Sequence, residues 1–396
     1  MAERIEALVK AELLVWARRT AKLGIEAAAE AADISQKKIE AWEAGEGRPS
    51  IPQLRKLASA YKRPLAAFYL PEPPAEFDVM RDFRRLPEAS ESSLANAQLQ
   101  HEIRVASWRR ELAIEIAREL DEQFPKFSLH ASLEEDPVEV ARRARVALGV
   151  TDSQQFKWVD PFEALTAWRE AVERLGVLVF QTQGIPIDEM RGFSVSAEEV
   201  PVVALNGKDS PRGRVFTLLH ELIHLMLGAG GVCNLDEGHA ANRDAKRVEV
   251  FCNRVAGAVL VPPELLLGEA VVLGHSTGKD WEESEIAFLA DRYSVSRETL
   301  IRSLVLTGKA TERFYALKRA EYLHGYSQHA TKKKSYPVPV YRKVISRNGR
   351  RFSRLVVDAY REETITGSDL ANYLGVRLKH LGEIENALSR SSAKAR

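Results

Sequence analysis

The chain has 396 residues, 45% hydrophobic and 29% charged, which are the proportions of a water-soluble protein large enough for two or three domains. No run approaches the roughly 18 apolar residues that span a membrane, and the first residues lack a signal-peptide core, so we expect neither insertion nor secretion. Because Cys233 and Cys252 are the only cysteines, a disulfide framework is not expected, and a cytoplasmic location fits best.

The net charge of +1 conceals an uneven distribution along the chain. Residues 1–70 carry +3 and residues 331–396 carry +9, whereas the residues between them carry −11. Such asymmetry predicts basic ends that could contact nucleic acid and an acidic middle that would not.

Residues 11–70 have the pattern of a bundle of short helices. Residues 23–32 form one helix, 33–34 a tight turn, and Ser35 caps a second helix that runs to Glu43. This is the form of a helix-turn-helix, whose second helix can enter the DNA major groove. The exposed face of that helix carries Gln36, Lys37, Lys38 and Glu40. These polar groups suit base edges or phosphates, although a bundle used only for dimerisation or partner binding is the alternative.

The middle of the chain first reads as helical and then as extended. A proline-rich break at 71–74 precedes a long helix over 92–122, whose apolar spacing predicts packing on a neighbour, either within the chain or on a second copy. Asp136-Pro137 and Asp160-Pro161 each open a further helix. Strands are predicted over 176–181, 191–196 and 200–206. Pro201 and Gly207 favour an edge position for the third strand, where an extended peptide could add.

The stretch 216–227 carries the candidate catalytic and metal-binding residues of this sequence. It lies on a helix that Asp209-Ser210-Pro211 caps and starts. His220 and His224 are one turn apart on the same face, so two imidazoles can bind one zinc ion. Glu221 lies beside them and could take a proton from a water whose pKa the zinc lowers to about 7. A core helix that happens to carry two histidines is the alternative.

Zinc requires at least a third protein ligand. Gly230 stands where a metzincin would have its third histidine, which excludes that arrangement. The downstream residues able to bind zinc are Cys233, Asp236, Glu237, His239, Asp244 and Glu249. Of these, Glu249 lies in a segment with helical spacing that can pack on the histidine helix. Cys233 could instead occupy a zinc position and keep an enzyme latent, although a loop cysteine without a role is the simpler interpretation.

The C-terminal part begins with a helical region over 281–306, which we assign to the same domain as the histidine helix. Lys332-Lys333-Lys334 indicates a solvated linker, and 347–351 a strongly basic turn. Helices are predicted over 352–360, 367–374 and 378–388. The charge of this region suits nucleic acid or an acidic partner, and a merely solvated tail is equally compatible with it.

Two parts of the chain resemble known families. Trp42-Glu43-Ala44-Gly45, Arg48-Pro49-Ser50 and 62–71 look like a phage-repressor-type (Xre) helix-turn-helix domain. Phe216-Thr217, His220-Glu221 with His224, and Glu249 with Asn253 resemble the ImmA/IrrE zinc metallopeptidases. Cys252, Val255 and Val261 depart from that family's pattern, but as small or apolar residues they should preserve the packing.

The resemblance implies a Zn²⁺ site with His220, His224 and Glu249 as ligands, Glu221 as catalytic base and Asn253 supporting the site; His239 is the alternative third ligand. His239, His275 and Tyr293 could stabilise the oxyanion of the reaction.

The predicted fold is mainly α with a small β-sheet, an α+β fold. It comprises a helix-turn-helix domain at 1–70, a helical linker at 71–155, a zincin-like metallopeptidase domain at 156–330 and a basic, mostly helical region at 331–396.

The implied function is a regulator that binds double-stranded DNA and cleaves a repressor or antitoxin protein at a limited site. The alternative is a transcription regulator, antitoxin-like, whose peptidase-like domain senses a ligand or partner without proteolysis. We expect no membrane partner, and the sequence leaves a homodimer open.

Overall fold

A computed structural model describes residues 6–21, 23–63, 65–73, 97–228, 232–233, 243–275, 280–329 and 338–392. The described residues divide into two compact units, the first of which is assembled from three separate stretches of chain. The first unit holds 6–73, 97–123 and 352–392, and the second holds 124–351. The four-part linear division made from the sequence stays a prediction.

The first unit begins with four helices closed by a short 3-10 helix. They are α1 (Ala11–Thr20), α2 (Ile25–Ala32), α3 (Gln36–Glu43), α4 (Ile51–Tyr61) and the 3-10 helix Leu65–Tyr69. Asp33 ends α2 in the left-handed conformation, with φ of 51°. Arg18 ties α1 to α3 through two hydrogen bonds of 2.7 Å to the Glu43 carboxylate. The helix-turn-helix predicted from the sequence is therefore confirmed, with its second helix as predicted and its first helix beginning at Ile25 and not at residue 23.

The long predicted helix is α5 (Ala97–Glu119), and its N-terminal part over 92–96 lies outside the described residues. Residues 102–109 are all buried, so the helix has neighbours on every side. Trp108 shows two of these neighbours: the Lys62 ammonium lies 4.7 Å from the centre of its ring, and Tyr373 meets it edge-on at 6.0 Å. This packing occurs within one chain and does not require a second copy.

The C-terminal helices complete the first unit. They are α17 (Arg350–Arg361) from residue 352 onward, α18 (Gly367–Leu374), a 3-10 turn (Leu378–His380) and α19 (Leu381–Ser392). The apolar residues of these helices that are buried include Phe352, Leu355, Val356, Leu370, Leu374, Ile384 and Leu388. The alternative of a solvated tail was therefore wrong for these residues.

Residues 352–392 contain six acidic and five basic side chains. The net positive charge of residues 331–396 therefore comes from residues outside 352–392.

The second unit places a small sheet among helices. Its elements before the histidine helix are α6 (Pro137–Leu148), α7 (Asp152–Gln155), α8 (Pro161–Arg174), β1 (Leu178–Thr182), β2 (Gly192–Val195) and β3 (Val202–Asn206). Its later elements are α9 (Pro211–Met226), β4 (Val232–Cys233), α10 (Arg243–Leu260), α11 (Pro263–Gly268), α12 (Ala270–Gly274), α13 (Glu283–Arg292), α14 (Arg297–Leu306), α15 (Glu312–His329) and α16 (Val340–Asn348). The Asp136 and Asp160 side chains cap α6 and α8 as predicted.

The sheet has the order β1-β3-β2-β4, with β1 and β3 parallel and the other pairs antiparallel. The predicted edge position of the third strand was wrong, because β3 is bonded on both sides and all five of its residues are buried. Pro201 costs no ladder bond, since it precedes the strand and its carbonyl accepts a hydrogen bond from Leu178 N at 2.9 Å.

The histidine helix α9 lies at the centre of this unit. Ser210 caps it by accepting a hydrogen bond from Gly213 N, and Pro211 occupies its first position, as predicted. One side of α9 packs on β2 and β3, and other sides pack on α8 and α10. Polar side chains near its middle are therefore removed from water and require partners within the protein.

The segment before residue 352 is anchored to the sheet of this unit. α16 packs on β1, and Ser346 donates a hydrogen bond to Gln181 at 2.8 Å. At the start of α17, the Arg350 and Arg351 backbone N–H groups donate to Glu173 of α8 at 3.1 and 3.2 Å. Burial raises the pKa of Glu173 to about 7, although nearby Arg169 and these hydrogen bonds oppose the shift. The sequence pattern did not predict α16, which has only nine residues, three of them basic.

Among the described residues, no helix is both long enough and apolar enough to cross a bilayer.

Candidate metal centre and nucleic-acid interface

Two neighbouring helices bring the three proposed ligands together. His220 and His224 lie on α9 and Glu249 on α10, and all three are buried, with relative exposures of 0%, 3% and 3%. One ligand atom from each lies within 4.8 Å of the other two. Among the described residues this is the one group of histidine, cysteine and acidic side chains arranged in this way.

The distances between these atoms fit a metal ion. His220 Nε2 lies 3.0 Å from His224 Nε2 and 3.2 Å from Glu249 Oε2, and His224 Nε2 lies 2.9 Å from Glu249 Oε1. A tetrahedral zinc ion with bonds of about 2.0–2.2 Å separates its ligand atoms by roughly 3.3–3.6 Å. The observed triangle is only slightly smaller, and two imidazoles with one carboxylate are ligands that zinc prefers. These residues could therefore hold a zinc ion.

Asn253 contacts the imidazole of His220. Its Oδ1 lies 3.0 Å from His220 Nδ1, on the side of the ring away from the ligand triangle. When Nδ1 carries the proton and donates it to this oxygen, Nε2 keeps its lone pair toward His224 and Glu249. The family resemblance predicted a supporting role for Asn253, and the structure shows its contact with His220.

The charge of Glu249 is stabilised by the imidazoles. Burial acts to raise the pKa of this carboxyl, but its contacts with His220 and His224 outweigh burial and lower the pKa below its usual range. Glu249 is accordingly held as the carboxylate, which is the form that binds a cation.

Glu221, the next residue after His220, is fully buried against strand β2. Its Oε2 accepts a hydrogen bond of 2.7 Å from the Ser194 hydroxyl. Sequence reasoning missed Ser194, because a serine in a short strand does not reveal which helix the strand packs on. The only sequence signal was a polar residue at a strand position whose neighbours are apolar.

The Thr217 hydroxyl, one turn before Glu221, is buried and makes no hydrogen bond within the part of the chain that the structure describes. Leaving such a group unsatisfied costs about 1–3 kcal/mol. Thr217 belongs to the Phe216-Thr217 pair that precedes His220 in the sequence and that contributed to the family resemblance.

The remaining residues proposed for this site take other places. His239, Asp236 and Glu237 lie outside the described residues, as does the side chain of Cys233, whose backbone belongs to β4. His275 stacks on Trp281 with ring centres 3.8 Å apart, and the Tyr293 hydroxyl donates to Glu269 at 3.2 Å. Asp244 is exposed at the start of α10.

The proposed DNA-contacting residues share the exposed face of α3. Gln36, Lys37, Lys38 and Glu40 are all exposed, whereas Ile39 and Trp42 on the opposite face are buried. Gln36 donates to Glu40 at 2.8 Å, so these two side chains orient each other on the surface. The second helix of the motif thus presents polar groups outward while its apolar face holds it in the bundle.

Comparison with protein-family models gives two matches. Residues 172–304 match the IrrE N-terminal-like domain of the peptidase M78 family, and residues 11–67 match a helix-turn-helix domain. The chain contains an IrrE N-terminal-like domain and a helix-turn-helix domain. Comparisons with curated proteins and with solved structures each found no match.

The IrrE N-terminal-like domain spans the part of the second unit from the end of α8 to α14, and it includes all three residues of the ligand triangle. The match confirms the predicted resemblance, and the mainly α fold with a small sheet is confirmed as well. The helix-turn-helix domain indicates a DNA-binding regulator, and the second domain belongs to a peptidase-like family.

Proposed function

We propose that this protein is a DNA-binding regulator with zinc-dependent endopeptidase activity that cuts a repressor or antitoxin protein at a limited site. The observation that carries the peptidase part is the buried triangle of His220, His224 and Glu249, with Glu221 beside it. The helix-turn-helix domain would bring the enzyme to DNA where its protein substrate is bound.

The residues divide the work of peptide hydrolysis between them. His220, His224 and Glu249 would hold the zinc ion, which when bound supplies Lewis-acid polarisation of the scissile carbonyl and lowers the pKa of water to about 7. Glu221 takes the proton of the attacking water and then gives it to the leaving amine. Asn253 keeps His220 in the tautomer whose Nε2 faces the triangle.

Metal analysis tests the ligand assignment. We expect the purified protein to contain about one zinc ion per chain, and His220→Ala and Glu249→Ala each to lose it, because two remaining ligands bind zinc poorly. His275→Ala is the matched control, since that ring stacks on Trp281 and is expected to leave the zinc content unchanged. Full zinc occupancy in either ligand variant would contradict the assignment.

Binding to a mixed-sequence DNA duplex tests the other domain. We expect the affinity of the full chain to fall steeply as salt rises, because lysines that contact phosphates release counterions. Lys37→Ala and Lys38→Ala should each lower the slope of log affinity against log salt by about one. Lys157→Ala removes an exposed lysine of the second unit and should leave the slope unchanged. Absence of binding even at low salt would rule out the DNA-binding role.

A further inference from the structure

Strand β2 meets the histidine helix at the position of Glu221. Gly192 and Ser194 are two residues apart in this strand, so they share the face that lies against α9. β2 is hydrogen-bonded on both sides, to β3 and to β4. Its position relative to the sheet is therefore fixed by two ladders.

Ser194 engages one oxygen of the Glu221 carboxylate. Its hydroxyl donates to Oε2 over 2.7 Å, and both residues are fully buried. The Ser194 backbone is paired with Val203 of β3, and this pairing fixes the position of the Ser194 Cα from which the side chain extends. A hydrogen bond to a carboxylate away from water is among the stronger ones in proteins, so it restrains rotation of the Glu221 carboxylate.

Gly192 lies at the other oxygen. A Cβ at this residue would lie 2.5 Å from Thr217 Cγ2 and 3.3 Å from Glu221 Oε1. The absence of a side chain lets the strand approach the helix closely and keeps bulk away from Oε1. The two residues of β2 thus meet the two carboxylate oxygens differently: the Ser194 hydroxyl bonds Oε2, whereas Gly192 places only backbone near Oε1.

We propose that Ser194 is a positioning residue for peptide cleavage: by holding Oε2, it directs proton transfer to Oε1 of Glu221. This inference rests on the proposed peptidase function. In the reaction, the water oxygen bonds to the carbonyl carbon, and its proton passes to Glu221 Oε1. The same proton passes to the nitrogen of the leaving amine as the C–N bond breaks, and Ser194 neither gains nor loses a proton.

The test compares Ser194→Ala and Ser194→Thr with the wild-type full chain. Three quantities are measured: the rate of casein cleavage, the zinc content, and the affinity of the Co²⁺-loaded protein for acetohydroxamate. The affinity is followed by visible absorbance. Acetohydroxamate chelates the metal and gives its proton to a neighbouring carboxylate, so its affinity reports how Glu221 is oriented. Ser303→Ala is the control, because it also removes a buried serine hydroxyl of the second unit, one that donates to Thr299 O within α14.

We expect Ser194→Ala to lower kcat about 10- to 100-fold with little change in KM, and to weaken acetohydroxamate binding by a similar factor. Metal content should be unchanged, Ser194→Thr should recover most of both losses, and Ser303→Ala should behave as wild type. Unchanged acetohydroxamate affinity in Ser194→Ala would overturn the inference, and so would loss of metal from that variant.

The failure of the proposed function gives a different pattern. If the wild-type protein binds metal and acetohydroxamate but does not cut casein, the acetohydroxamate affinities of the Ser194 variants still decide the positioning role. If the wild-type protein takes up no metal, both the proposed function and the positioning role are overturned.

Discussion

Replacing Glu221 with glutamine is expected to reduce peptide cleavage by about 10²- to 10⁴-fold while the protein keeps its zinc and its fold. Glutamine has nearly the same shape, and its carbonyl oxygen can still accept the hydrogen bond from Ser194. What it lacks is a basic oxygen that can take a proton from water. The three residues of the ligand triangle are not altered, so zinc content should stay at the wild-type value.

The measurement is cleavage by wild type, Glu221→Gln and Glu264→Gln under equal zinc loading. Glu264 is an exposed residue of the same unit, in the first turn of α11, and is not part of the ligand triangle, so its variant should cleave at the wild-type rate. The comparison also separates the two functional interpretations. If regulation in the cell is lost together with cleavage while DNA binding is kept, proteolysis carries the regulatory signal. If Glu221→Gln still regulates normally, the domain acts as a sensor of a ligand or partner, and the peptidase proposal is wrong.

Gly349→Ala is expected to destabilise the second unit by about 3 kcal/mol or more. Gly349 has φ of 76° and ψ of 158°, a backbone conformation that is essentially restricted to glycine and costs other residues about 1–3 kcal/mol. A Cβ there would also lie 2.5 Å from Val179 O and 2.7 Å from Glu173 Oε1. Val179 O belongs to the backbone of β1 and cannot move away cheaply, so the clash adds to the strain.

Calorimetric unfolding of the full chain measures this effect. For a unit of this size, a loss of about 3 kcal/mol corresponds to a fall in Tm of roughly 6–12 °C. Gly149→Ala is the matched control: Gly149 also has a positive φ, of 64°, but its Cβ would meet nothing within 4 Å. That variant should lose only about 1 kcal/mol, the cost of the left-handed conformation. Equal Tm values for the two variants would show that the close approach to β1 and Glu173 contributes nothing.

The Gly349 prediction also concerns the role of the C-terminal segment. Glu173 satisfies two backbone N–H groups at the start of α17, where a helix leaves such groups without partners of its own. These contacts with Glu173 therefore anchor residues that lie beyond residue 304, the last one matched by the IrrE N-terminal-like domain. The second unit extends past its recognisable family domain, and α16 belongs to its structure.

Local patterns were sufficient to predict much of this protein. The helix caps at Asp136, Asp160 and Ser210 and the spacing of His220 and His224 depend on residues a few positions apart. Such features are encoded by short segments, because a helix places its capping residues and its i, i+4 pairs by backbone geometry alone. The helix-turn-helix was predicted for the same reason, since its turn and its two short helices lie within a single stretch.

Contacts between distant segments required the tertiary structure. Glu249 was one of several residues able to complete the triangle until the packing of α10 on α9 brought it within 2.9 Å of His224. The interior position of β3, the Ser194 contact with Glu221 and the Glu173 anchor at Gly349 depend on strand order and helix packing. Pairing across a sheet and packing between helices join residues that are far apart in the chain. The periodicity of apolar residues in a segment shows which of its faces is buried, but it does not show which other segment packs against that face.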